Sequence, residues 1–174
     1  MTIFLDILLC LGVVLAQATF STYLSAKGIQ PDLCFALACV IGFISGEYKG
    51  LMVGLTVGLF QDLLAPGGIG LNMILKGLAG ALAGITTHTI STITGPAVLL
   101  VTLALSLGTG LASLMVAYPD VDALVLFYGL SSVLLPQGLY NSILTLGIFW
   151  LTNKIGLSNG HGTLRARTIR LTRC

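Results

Sequence analysis

Long uncharged apolar stretches separated by short polar breaks run along this chain, and their lengths predict helices. Residues 7–26 carry no Asp, Glu, Lys or Arg over 20 positions, enough for one bilayer crossing at ~20 residues per span. Residues 33–46 and 50–61 are shorter apolar windows, separated by Gly46, Glu47, Tyr48, Lys49 and Gly50. Extended to their flanks, they predict two short crossings or a re-entrant pair. Residues 77–119 hold no charge over 43 positions, which predicts two crossings. The polar patch Thr86-Thr87-His88-Thr89 and the following Gly95-Pro96 divide them, because proline suits the first turn of a new helix. The window 123–153 predicts a last crossing that Pro136 kinks or divides. No segments of about ten residues alternate apolar and polar as a membrane barrel requires. The pattern predicts an all-α integral membrane fold, a six-helix transmembrane bundle. Its helices are expected at about 3–24, 31–46, 50–65, 71–90, 96–117 and 123–153, with a basic tail at 154–174.

Composition sharpens this picture. Only 8% of the 174 residues are charged, where a soluble domain carries about 25%. Hydrophobic residues make up 56%, and the mean hydropathy is +1.02. Fourteen charges cannot cover so much apolar surface in water, and disorder needs the opposite composition. The acids and bases also set an orientation. Arg165, Arg167, Arg170 and Arg173 follow Lys154 with no acid among them, and basic residues beside a membrane end stay cytoplasmic. Six crossings then put both termini in the cytoplasm. Glu47 and Lys49 fall inside and Asp62, Asp120 and Asp122 outside, with Lys27 the one dissenter. The arginine tail serves as a topology signal or lies on anionic lipid, at ~1 kcal/mol per basic residue.

The first apolar run ends in Ala16-Gln17-Ala18, like a secretion signal, but its start holds Asp6 without Lys or Arg, and further spans follow. It reads as a retained helix. Cys10, Cys34, Cys39 and Cys174 make no metal-ligand spacing, and the first three read as small buried hydrophobes. Cys174 is the last residue and so makes no prenylation box.

Glycine recurs every four residues at Gly42, Gly46, Gly50, Gly54 and Gly58, and Asp62 continues the series. Residues four apart share a helix face, so Gly50, Gly54 and Gly58 form one smooth stripe. The fourth expected helix repeats the device with Gly77, Gly80, Ala81 and Gly84, and the fifth offers Thr102, Ser106, Thr109, Gly110 and Ser113. Such stripes either pack the bundle internally or meet a partner subunit. Asp62 and Lys76 flank Pro66-Gly67-Gly68-Ile69-Gly70, and each has the wrong sign for its own helix end. They are expected to pair with each other, or else to contact a partner or ligand. Gln137, Asn141 and Thr145 form an i, i+4, i+8 stripe expected to hydrogen-bond between helices. His88 has no second histidine or acid at metal-ligand spacing. No P-loop, H-E-x-x-H or paired intramembrane carboxylate occurs, so the reading assigns no catalytic residue, cofactor or metal, and no nucleic-acid partner.

Several of these residues together resemble a known family. Gln17-Ala18-Thr19 precedes Gly28-Ile29-Gln30-Pro31-Asp32-Leu33, and then come the glycine stripe and Gln61-Asp62-Leu63-Leu64. Gly67-Gly68-Ile69-Gly70-Leu71-Asn72 and Gly77-Leu78-Ala79-Gly80 close the run. Over about residues 15–85 this is similar to MreD, the small membrane subunit of the bacterial rod-shape machinery; the last two helices match only in hydrophobicity and length. The resemblance implies a non-enzymatic scaffold of the bacterial inner membrane that binds MreC. Through MreC it would connect MreB filaments with RodA and its class B penicillin-binding partner. The matching positions are Gln17, Pro31, Asp32, Asp62, Gly70 and Asn72. The resemblance also implies a fold similar to the S-components of energy-coupling-factor vitamin transporters. A vitamin-binding transporter subunit is therefore the alternative function. Against it, the Ala-x-x-x-Ala docking motif of S-components has only Gly12-x-x-x-Ala16 as a counterpart, and no convergent aromatics or acids lie near the outer loops beyond Tyr118, Asp120 and Asp122.

Overall fold

The computed structural model describes residues 10–19, 30–64, 70–89, 94–120 and 122–154. The ends of the first expected helix, the turn at 66–69 and the tail after Lys154 with its four arginines and Cys174 lie outside the described residues. Described residues form α1 (Cys10–Thr19), α2 (Leu33–Ser45), α3 (Glu47–Leu64), α4 (Leu71–Thr89) and α5 (Gly95–Ala117). These are followed by α6 (Ala123–Gly129), a π-helical turn (Leu130–Leu134) and α7 (Leu135–Lys154), which run on as one rod. Among the described residues there are thus six helical rods and no strand.

Local chemistry sets the helix ends. Asp32 caps α2, its Oδ1 accepting the Phe35 N–H at 2.9 Å. The sequence predicts a five-residue break from Gly46 to Gly50, but the structure narrows it to Gly46 alone. Gly46 adopts φ +90°, a conformation glycine enters without strain, and its N–H still reaches the Gly42 carbonyl at 2.9 Å. α3 therefore starts at Glu47 rather than Gly50, with an acid in its first turn, where the helix dipole favours it. Pro96 lies in the first turn of α5. The interruption expected at Pro136 takes the form of the π-helical turn. Proline donates no N–H and crowds the carbonyl four residues earlier, and the preceding Leu135 N–H instead reaches five residues back, to Leu130.

α3 and α4 pack most closely, with α2 against both; α5 packs on α7, and contacts of α2 with α7 and α4 with α5 join the two groups. α2 is the centre. Nine of its thirteen residues are buried, which explains why so short a helix, ~20 Å at ~1.5 Å per residue, carries so few polar groups. One core cluster unites Phe35, Cys39 and Phe43 of α2 with Ala79 and Ala83 of α4 and Val98 of α5. Phe43 and Phe149 of α7 meet edge to face with centroids 6.2 Å apart. A second cluster ties α1 to α2 and α3 through Cys10, Val14, Cys34 and Val57.

Large apolar side chains lie on the surface of the described residues, and several polar ones lie inside. Leu100, Met115, Phe127, Tyr128, Ile143 and Trp150 are each more than half exposed, while Asp62, Lys76, Thr102, Ser106, Asn141 and Thr145 are buried. Gly95–Ala117 and Val125–Lys154 are long and apolar enough to cross a membrane; Leu33–Ser45 is apolar but shorter.

Candidate functional site

The N-termini of α2 and α4 and the C-terminus of α3 meet at one end of the bundle, and Asp32, Asp62, Asn72 and Lys76 gather there. Asp62, near the end of α3, is only 4% exposed. Its Oδ2 accepts the N–H groups of Gly70 and Met73, both at 3.0 Å, and its Oδ1 accepts the Asn72 N–H at 3.3 Å and the Asn72 side-chain amide at 2.9 Å. These are the first N–H groups of α4, which have no partner inside their own helix. An acid is unfavourable at the end of α3 but favourable at the start of α4, and the second placement governs.

The expected Asp62–Lys76 pair is therefore corrected. Asp62 is taken by the α4 N-terminus, and Lys76 Nζ instead meets Asp32 Oδ2 at 2.8 Å. Asp32 comes from the N-terminus of α2, so the pair bridges α2 and α4 rather than closing the α3–α4 turn. Its two ends were legible separately; their pairing across 44 positions was not, because nothing local distinguishes Asp32 from Asp62 as a partner.

The network extends through Asn141, which is 2% exposed on α7. Its Oδ1 accepts the Asp32 N–H at 2.8 Å, and its Nδ2 donates to Ser106 Oγ on α5 at 3.0 Å. Gln17 Oε1 on α1 accepts the Cys34 N–H at 2.9 Å. Asn141 thus makes the interhelical bonds expected of its stripe. Thr145 donates within its own helix, to the Asn141 carbonyl at 2.7 Å, and Gln137 lines a cavity. The side chain of His88 lies outside the described residues.

The glycine stripe faces inward. A Cβ placed on Gly50 would strike the Gly80 carbonyl, on Gly54 the Lys76 carbonyl, and on Gly58 the Met73 backbone. Gly80 and Gly84 face Gly50 and Glu47 in the same way, while Gly77 lies under the Leu55 side chain, 2.7 Å from a built Cβ. Backbone thus meets backbone at Gly50, Gly54, Gly58, Gly80 and Gly84 of the α3–α4 interface.

Two cavities flank the Asp32–Lys76 pair. The first, about 360 Å³, lies between α2, α4, α5 and α7, with Asn72, Ser106, Gln137 and Asn141 among its walls. The second, about 290 Å³, is lined by Gln17 and Val14 of α1, Gln61 of α3, and Asn72. Both are bounded by Asp32, Asn72 and Lys76. Sequence reasoning includes Gln61 within the Gln61-Asp62-Leu63-Leu64 segment but gives it no role, and it misses the cavities. The chain matches no family model, no curated protein and no solved structure among those compared with it.

Proposed function

We propose that this chain is a multi-pass scaffold of the bacterial inner membrane, an MreD-type subunit that holds MreC and through it links MreB filaments to RodA and its class B penicillin-binding partner. One observation carries the reading. Gln17, Pro31, Asp32, Asp62, Gly70 and Asn72, the positions on which the resemblance rests, converge at one end of the bundle. There Gln17, Asp32, Asp62 and Asn72 bond the ends of α1, α2, α3 and α4 together. Pro31 is buried beside them, and Gly70 (φ +110°) opens α4. Residues recognisable by their spacing in sequence thus serve one architectural purpose, the joining of helix ends.

The exposed apolar belt supports the bilayer as the surrounding medium. Lipid tails accept Leu100, Phe127 and Ile143 on the outside, and they favour polar groups turned inward as these are. Lys154 stands 5.0 Å over the Trp150 ring, an amphipathic pair of the kind that anchors a helix end at the interface. A holding role also suits the carboxylates, since Asp32 and Asp62 are both engaged in capping helices. The test is recovery of MreC with the purified chain, alongside binding of riboflavin, thiamin and biotin. The scaffold reading expects MreC to be recovered and no vitamin to bind at micromolar concentration. Tight vitamin binding without MreC would reverse it in favour of the transporter subunit.

A further inference from the structure

We propose that the two cavities flanking the Asp32–Lys76 pair form one binding site for a small uncharged molecule rich in hydroxyl and carbonyl oxygens, of the size and chemistry of a sugar or polyol. The inference does not depend on the scaffold reading. It starts from the hydrogen-bonding groups the chain leaves unused. Lys76 Nζ is buried and meets only Asp32 among the described residues, leaving two of its three N–H donors for other acceptors. Ser106 accepts from Asn141, and its own hydroxyl proton remains available beside the first cavity. The Gln137 side chain, in the wall of that cavity, makes no hydrogen bond to a described residue. On the other side, Gln61 Oε1 is buried and unpartnered among the described residues, in the wall of the second cavity. Gln61 Oε1 is the one buried side-chain polar atom without a partner among the described residues, and together with the spare donors of Lys76, Ser106 and Gln137 it borders this pair of cavities, which points to something that fills them.

Charge narrows the ligand class. Among the described residues, Asp32 and Lys76 are the only ionisable ones in either wall, and they neutralise each other. A charged ligand would add an uncompensated charge beside a pair that already neutralises itself, whereas a neutral one matches the mixture of amide, hydroxyl and ammonium groups. Phe35 and Leu134 add apolar wall to the first cavity, suiting the C–H faces of a sugar ring. At about 360 Å³ and 290 Å³, the spaces fall near the lower end of ordinary ligand pockets, ~300–1,000 Å³.

The same chemistry is presented by a free sugar or by a glycolipid headgroup. The experiment is saturation-transfer NMR on the full chain in nanodiscs, with glucose and N-acetylglucosamine as free probes, glucose 6-phosphate as the charged comparator, and a second arm of nanodiscs containing monoglucosyl diacylglycerol. Saturable contacts to a neutral probe are expected at millimolar concentration, with glucose 6-phosphate at least about tenfold weaker. Signal confined to the lipid arm would assign the headgroup as the source. Gln137→Leu and Gln61→Leu, which break no described hydrogen bond, should each weaken binding several-fold with helical content and thermal midpoint retained. Equal or tighter binding of glucose 6-phosphate would overturn the charge argument. Absence of saturation in both arms, the result for cavities that hold water alone, would overturn the site.

Discussion

Lys76 shows how a single side chain can be classified correctly and paired wrongly. Its position inside an apolar helix marks it as a residue that needs a partner, and that much is legible from composition. The choice between Asp62 and Asp32 depends on which carboxylate the α4 N-terminus captures, which is a matter of backbone donors in three dimensions. The structure therefore moves the expected coupling. Asp32→Asn, which keeps the cap of α2, and Lys76→Met should each cost about 3–5 kcal/mol, because each strands a largely buried charge. The double mutant should be less damaged than the sum by about 1–3 kcal/mol. The corresponding cycle with Asp62→Asn and Lys76→Met should be additive. Unfolding in a graded denaturant series measures both, and coupling in the second cycle rather than the first would restore the local pair.

At the scale of the element, helix existence and rough extent follow from charge-free windows, because an apolar segment of fixed length is a strong pattern. What those windows do not contain is which face of a helix meets which neighbour. The repeat of Gly50, Gly54 and Gly58 is legible, and so is the matching set on α4. Their mutual contact becomes evident only when the Gly80 and Lys76 carbonyls are found where a Cβ would sit. Gly54→Leu or Gly58→Leu should accordingly destabilise the fold by about 3 kcal/mol or more, since a side chain would strike backbone that cannot rotate away. Gly108→Leu on α5 is the control, because a Cβ there meets nothing within 4 Å. Midpoints in the same denaturant series decide it, and equal tolerance at Gly54 and Gly108 would remove the close α3–α4 contact. The polar stripe of α7 divides similarly. Asn141 binds two other helices, whereas Thr145, four residues on, bonds only its own. A hydroxyl can be satisfied by the preceding turn and a carboxamide less readily, so identical spacing leads to different roles.

For the whole molecule, the proposed bilayer setting makes an orientation testable. A cytoplasmic reporter fused after Arg173 should be active and a periplasmic one silent, because four arginines without an acid resist translocation. Labelling of that tail from outside intact cells would overturn an even number of crossings. The capping of α4 by Asp62 has a further consequence, for how such a chain is made. While α3 leaves the ribosome, its Asp62 has none of the four donors that later surround it, and an acid inside the hydrocarbon costs up to about 2.5–3.5 kcal/mol. Those donors belong to the segment synthesised next, so α3 and α4 should enter the membrane together, as a hairpin. Nascent chains halted after Leu64 should leave α3 poorly inserted, and chains halted after Thr89 should insert both helices. Asp62→Leu should abolish the difference between the two lengths, and glycosylation mapping in microsomes would read it. Full insertion of the shorter wild-type chain would mean that α3 needs no help from its successor.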